Sequence, residues 1–404
     1  MAHNALPDAR AVAPESPATA TSRIPLLDVL RGAAILGTLM TNVWIFASPG
    51  SEWAVLQGGL NLPDPLADPR PATLVEAVFR FLADGKFLSL LTILFGVGLA
   101  IQYDSAKRRG EPWPGRYPRR AAFLFLEGTL HFVLIFAWDV LMGYAVTALL
   151  VAWLLARSER VRRVALWSAA GLHLTLIGLV TLGSLAEPDT GRTAPDPDAV
   201  ALYAHGSWGD QIRFRLDNAL ALRIEPLFSF GLLVFLFLLG VRLHRAGAFA
   251  PTAAGRRIRA RMAAWGLGLG LPLGVAASLG GDDFFLLGRY VIAPLVAVGY
   301  IGLIGLALDR FRLPGARSLG AVGRTALSAY VGQNLLCLLL CYGVGLGLAD
   351  RLAGTGPWWV MGLWASVSLV LIVSARLWLR RFARGPLESV QHLALRPRAA
   401  TGRR

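Results

Sequence analysis

Apolar segments close to the roughly 20 residues that a helix needs to cross a bilayer recur from Leu26 to Leu379 and leave little chain for anything else. Ten can be drawn: Leu26–Phe46, Gly85–Ile101, Ala121–Trp138, Val140–Leu155, Val164–Leu185, Leu227–Leu243, Met262–Leu279, Phe284–Leu308, Ala326–Leu348 and Trp358–Leu379. A soluble domain carries roughly 25% charged residues. This chain of 404 residues carries 16% and is 55% hydrophobic. Backbone polar groups in lipid must be bonded internally, and a helix does so within one segment. The expected fold is therefore all-α, a polytopic transmembrane helix bundle with ten spans by this division.

Charge between the segments alternates. Lys107, Arg108, Arg109, Arg116, Arg119 and Arg120 join the second segment to the third, and Arg157, Arg160, Arg162 and Arg163 join the fourth to the fifth. The sixth-to-seventh and eighth-to-ninth connections are also Arg-rich, and Arg380, Arg381 and Arg384 follow the tenth segment. The intervening connections hold Glu52, Asp64 and Asp68, then Asp139, then Asp282 and Asp283, then Asp350. Arg-rich loops stay in the cytoplasm, which puts both termini there. The net charge of +15 thus reads as topology and contact with anionic membrane lipid. No soluble nucleic-acid-binding module is recognisable, so nucleic acid is not an expected partner.

Residues 1–22, rich in Ala and Pro with no apolar core of a signal peptide, read as a disordered tail. Residues 23–392 read as one transmembrane domain with outer loops at 47–84 and 186–225, and 393–404 as a basic tail. LVEAVFRFLADG in the first loop has the pattern of a short amphipathic surface helix, and the second loop holds an amphipathic run through Arg213, Arg215 and Asp217. Cys337 and Cys341 lie four apart on one helical face, a poor disulfide geometry and too few ligands for a metal. The glycine runs at Gly266, Gly268 and Gly270 and at Gly343, Gly345 and Gly347 read as close helix packing, not as a dinucleotide loop.

Ionisable residues inside such segments carry the functional information. Placing one at membrane depth costs about 2.5–3.5 kcal/mol on insertion scales, so it persists where it is paired, faces a polar cavity or serves a function. Asp28 and Arg31 are three apart on one helix face. A structural ion pair and the wall of a cavity for a charged substrate both fit them. In the third segment Glu127 and His131 are four apart and stack on one face that Trp138 continues, with Asp139 closing the segment at its outer mouth. From Arg120, His131 lies roughly 16 Å along the helix, near mid-membrane. A His beside a carboxylate can act as general base, acyl carrier or proton relay, and it can equally be a structural hydrogen bond. Asn42, Lys86, Arg289, Tyr330, Gln333 and Asn334 are further polar groups within spans. Headgroup contact by Lys86 and Arg289 and helix-joining hydrogen bonds by Gln333 and Asn334 also account for them. His173, with no charged neighbour, reads as packed.

RIPLLDVLRGAAILGTLMTNVWIF, FLSLLTILFGVG and EGTLHFVLIFAWDVLMGYAV resemble the YeiB-like family of bacterial membrane proteins, and GRTALSAYVGQN with RGPLE is similar to its C-terminal domain of unknown function. The resemblance implies a multi-pass protein of a bacterial plasma membrane. More distantly, an Asp followed three residues on by Arg-Gly and a small-residue helix is similar to the first span of the transmembrane acyltransferase superfamily. That group moves acyl groups from a cytoplasmic donor to an acceptor across the membrane. In many members a His assigned a catalytic role follows the Arg after ten residues; here that position is Asn42.

The leading expectation is an acyltransferase-like membrane enzyme with no bound cofactor and an acyl-coenzyme A co-substrate docking near Arg31 and Arg324. In it His131, oriented by Glu127, acts as base or carrier. A small-molecule, lipid or glycan acceptor approaches past Asn42, Asp139 and Arg289. The alternatives are a transporter or exporter using the same charges as an intramembrane pathway and an accessory scaffold without activity. Oligomeric state is not written in these features.

Overall fold

A computed structural model describes residues 24–57, 63–186, 194–311 and 313–395. The tail expected at Met1–Ser22 and residues 396–404 of the expected basic tail lie outside the described residues. Each of the ten apolar segments contains a helix over most of its length, and among the described residues there is no β-strand. In chain order the principal helices are α1 (Pro25–Ala47), α2 (Pro71–Ala83), α3 (Lys86–Arg108), α4 (Tyr117–Leu134), α5 (Leu141–Leu155), α6 (Glu159–Ala186), α7 (Pro197–His205) and α8 (Trp208–Asp217). They continue as α9 (Phe230–Arg245), α10 (Ala253–Leu279), α11 (Ala293–Arg310), α12 (Ala316–Arg324), α13 (Ala326–Cys341), α14 (Trp358–Trp378) and α15 (Pro386–Ala394).

Among the described residues, six helical stretches are long and apolar enough to cross a membrane: Pro25–Ala47, Pro71–Arg108, Glu159–Ala186, Ala253–Leu279, Asp282–Arg310 and Trp358–Trp378. Leu141–Leu155 and Ala326–Cys341 are shorter apolar helices. The molecule is an all-α membrane protein. Of the apolar window of α1, 72% is buried inside the protein, against 17% for α6 and 22% for α10. The first is therefore the central helix, wrapped by α3, α12, α13 and α14, while α6 and α10 turn Leu172, Leu179, Trp265 and Leu273 outward.

Small residues set the closest crossings, as expected where lipid offers no hydrophobic drive between helices. At the α3–α9 crossing a Cβ on Gly96 would lie 2.1 Å from the Phe237 carbonyl oxygen, and one on Gly240 would lie 2.1 Å from that of Ile93. Gly266 and Gly270 likewise press α10 against Gly299 and Val296 of α11, whereas Gly268 faces open space. Gly343, Gly345 and Gly347 do something else: the ninth apolar segment stops being helical at Cys341, and these glycines form the turn that follows it.

The two connecting segments are structured. The amphipathic pattern in the first is α2, with Pro71 in its first turn. In the second, α8 begins with a capping box between Ser207 and Asp210; the two Ser207 hydrogen bonds hold the Asp210 carboxyl below the usual carboxylate range.

The α3–α9 crossing predicts that Gly240→Leu, which drives a side chain into the Ile93 backbone, destabilises the bundle by about 3 kcal/mol. Gly178→Leu, at a position where a Cβ meets nothing within 4 Å, should leave the thermal midpoint in detergent unchanged. Equal midpoints for the two variants would refute tight packing at that crossing.

Candidate functional site

The third apolar segment, read above as helical through Trp138, leaves the helix after Leu134 and re-enters one at Leu141. A helix end inside apolar surroundings leaves carbonyls without partners, and here basic and aromatic side chains supply the donors. Arg215 donates to the Val133 and Ile135 carbonyls, at 3.2 Å each, and the Trp208 indole donates to that of Leu134 at 2.7 Å. Arg223 donates to the carbonyls of Ala137 and Asp139. The freed N–H of Ala137 donates to Glu52 Oε1 at 2.8 Å. Glu52 Oε2 accepts from both Arg215 Nε and the Tyr203 hydroxyl at 2.8 Å, and the Trp138 indole donates to the Glu52 carbonyl. Glu52 and Arg215 are both fully buried.

This turn carries Asp139 back beneath the end of α4. Gly128 makes room for it, since a Cβ there would lie 2.7 Å from Asp139 Oδ2. His131 Nδ1 sits 2.9 Å from Asp139 Oδ1, and both residues are 2% exposed. Asp139 Oδ2 accepts from the Met142 N–H at 3.2 Å, and the Tyr330 hydroxyl donates to Oδ1 at 3.4 Å. On the other side of the ring, Asn334 Nδ2 lies 3.2 Å from His131 Nε2, and Asn42 Nδ2 donates to Asn334 Oδ1 at 3.2 Å. The order of donors along this chain is self-consistent. In the tautomer with the proton on Nδ1, Asp139 accepts from Nδ1–H and Nε2 presents its lone pair to the Asn334 amide.

The expectation that Glu127 orients His131 is corrected by this geometry: the partner is Asp139, eight residues on. Both Glu127 carboxylate oxygens are buried and bonded to no described residue. Trp138 does not continue the Glu127–His131 stripe, because the helix has already ended. Asp139 is an interior residue, not one exposed at a mouth.

The remaining candidates fall into two groups. Near the Arg-rich end a cavity of about 920 Å³ is lined by Asp28, Arg31 and Arg324 and reaches inward to Leu141 and Tyr330. Arg31 Nη1 lies 3.4 Å from Asp28 Oδ1 at its wall, so the pair is both an ion pair and a cavity lining. On the other side of Asp139, a pocket of about 40 Å³ is bounded by Tyr144, Glu225, Arg289 and Tyr290. Arg289 pairs there with Asp84 and, at 3.5 Å, with Glu225. Lys86 is buried over the Phe81 ring and donates to the Asp84 carbonyl at 3.3 Å, away from His131. Gln333, fully buried beside Asn334, has an amide bonded to no described residue. His173 is packed, with Nε2 3.0 Å from the Tyr290 carbonyl.

The centre thus joins α1, α4, the 135–140 turn and α13. Fold and site together define a multi-pass α-helical membrane protein with a buried His–carboxylate couple packed against Tyr330, a residue of the wall of a large cavity with a basic mouth. Residues 243–396 match the family described as "Protein of unknown function (DUF418)". The chain is 30% identical over 391 residues to YeiB of Escherichia coli (strain K12), covering 90% of this chain and 93% of YeiB. It is 27% identical over 389 residues to YxaH of Bacillus subtilis (strain 168), covering 92% and 94%. Both relatives are described as uncharacterized proteins. The chain belongs to the YeiB-like family. Its DUF418 region supplies Tyr330, Asn334 and Arg324, and the preceding part supplies Asn42, His131 and Asp139.

Sequence reasoning had no means of finding Glu52, Arg215 and Arg223 as parts of the centre. Glu52 and Arg215 stand 163 positions apart in connecting segments; the one available signal was a carboxylate and a guanidinium amid aromatic residues. Removing one member of a buried pair costs about 3–5 kcal/mol. Arg215→Met should therefore destabilise the protein by that amount in chemical unfolding, and adding Glu52→Gln should recover part of it. Additive losses would show that the two side chains are not coupled.

Proposed function

We propose that the chain is a membrane-embedded acyltransferase of the bacterial plasma membrane that takes an acyl group from a cytoplasmic acyl-coenzyme A. The observation that carries this reading is the contact of the buried His131–Asp139 couple with Tyr330, which lines a cavity whose mouth is basic. The Arg-rich loops support an orientation with that mouth on the cytoplasmic side. The bacterial relatives support the membrane assigned.

In this reading His131 is the general base and Asp139 its positioning partner, holding Nε2 unprotonated and stabilising the imidazolium that forms. The acceptor hydroxyl or amine displaces the Asn334 amide from Nε2 and gives its proton there. Its oxygen or nitrogen attacks the thioester carbonyl, the C–S bond breaks, and the proton on His131 passes to the departing thiolate. Asn42, at the position where the acyltransferase resemblance has His, meets His131 through Asn334 and would align that amide rather than carry a proton. Arg31 and Arg324 would hold donor phosphates, for which the planar guanidinium is suited.

A second reading has its own observation. Tyr330 lines the large cavity and Asp139 the small pocket, and the two side chains meet at 3.4 Å, so their contact stands between the two compartments. That is the layout of a closed gate in a transporter with Asp139 as its ion-binding site. Substrate flux in vesicles without a covalent product would favour it.

Purified protein in lipid discs with radiolabelled acyl-coenzyme A and an acceptor extract should yield labelled product. His131→Ala and Asp139→Asn should lower the rate by about 10²–10⁴ in correctly inserted protein. Glu127→Gln, at a carboxyl that makes no hydrogen bond to the ring, should retain most of it. An unimpaired His131→Ala variant would overturn the enzymatic reading.

A further inference from the structure

The large cavity is divided by chemistry along its depth. Its mouth gathers Arg31, Arg108, Arg120, Arg324 and Arg384. The carboxylates at the same level are Asp28, Asp104 and Glu388, and each is engaged within the protein. Asp28 meets Arg31, and Asp104 meets His244 at 3.4 Å. Glu388, from RGPLE, caps the start of α13 through the Leu327 N–H and the Ser328 hydroxyl. Five guanidinium groups face three carboxylates in this lining, Arg31 being paired with Asp28, and the excess of positive charge around one opening suits a ligand bearing more than one negative charge, as phosphates do.

Deeper, the wall changes. Along α3 the lining runs from Arg108, Asp104 and Gln102 to Ile101, Gly98, Phe95, Leu94 and Leu91. Ile101 to Leu91 spans roughly 15 Å at helical rise. Ile35, Leu124 and Leu141 face the same depth from α1, α4 and α5, and Tyr330 closes the end. A short, wholly polar ligand would leave this apolar wall uncovered. Gly98 stands where the two zones meet: a Cβ there would meet only Arg31 Nη2, at 3.8 Å.

We infer that the ligand of this cavity is an anionic amphiphile, with a phosphate-bearing head among the mouth arginines and an aliphatic chain along the apolar wall toward Tyr330. This rests on the reading of the cavity as the donor site and adds what the donor carries: a medium or long acyl chain in place of acetyl. An acyl thioester of coenzyme A and a single-chain phospholipid share that chemistry, and the probes below separate them.

The test is equilibrium binding to the full-length protein in discs of zwitterionic lipid, with acetyl-coenzyme A, octanoyl-coenzyme A and octanoyl lysophosphatidate as probes. Octanoyl-coenzyme A should bind about tenfold or more tightly than acetyl-coenzyme A, because each buried methylene adds to affinity. Gly98→Leu, which fills the junction without touching backbone, should erase that preference, and Arg324→Gln should weaken both esters alike. Equal affinity for the two esters in the native protein overturns the inference and leaves the donor reading standing. Binding of the lysophosphatidate while neither ester binds supports the amphiphile and overturns the donor reading. Binding of none of the three overturns both.

Discussion

Glu52 and Arg215 form an ion pair with both side chains fully buried, and the geometry of the centre depends on it. Taking two charges out of water is favourable only when their remaining hydrogen-bonding capacity is also met. Glu52 accepts from Arg215, Tyr203 and the Ala137 N–H, and Arg215 donates to two carbonyls at the end of α4 as well as to Glu52. The guanidinium thus sits at the negative end of a helix dipole, and the carboxylate holds the N–H that the broken helix releases. Together they make a helix end at Leu134 tolerable in the interior of a membrane protein. Irregular backbone is admitted there only when it is buried in protein and fully bonded.

The consequence is felt eight residues from His131 along the chain. Were α4 to continue as a helix, Asp139 would lie two turns beyond the imidazole, out of reach. The turn at 135–140 brings its carboxylate to 2.9 Å, and Gly128 leaves the space it needs. In a site of low polarity each of these hydrogen bonds is stronger than it would be in water, and a missing partner is correspondingly costly. The order Asn42, Asn334, His131, Asp139 is therefore a constrained arrangement, joining the first, third and ninth apolar segments through one imidazole.

The sequence made the class of fold and much of the centre legible. Apolar length and Arg alternation locate the helices, and the rarity of polar and ionisable groups in lipid singles out His131, Asp139, Asn42 and Asn334. Spacing along one helix, however, pairs Glu127 with His131, because i and i+4 are neighbours only while the helix lasts. Nothing local to FVLIFAWDV announces the break after Leu134; it is imposed by Arg215, Trp208 and Glu52 from connecting segments far away in the chain. The same reason hid Arg223. Arg289 and Lys86 were legible as polar groups within spans, but their pairing with Asp84 and its carbonyl places them beyond Asp139 and away from the imidazole.

The central claim is that the basic cavity opens to the cytoplasm and leads to the His131–Asp139 couple. Cys337 and Cys341 are buried, so a cysteine introduced at Gly98 or Leu124, both on the cavity wall, can be probed against a low background. A charged, membrane-impermeant thiol reagent should modify Gly98→Cys and Leu124→Cys in inside-out membrane vesicles and spare both in intact cells. Modification from the outer face, or of neither residue from either face, would contradict it.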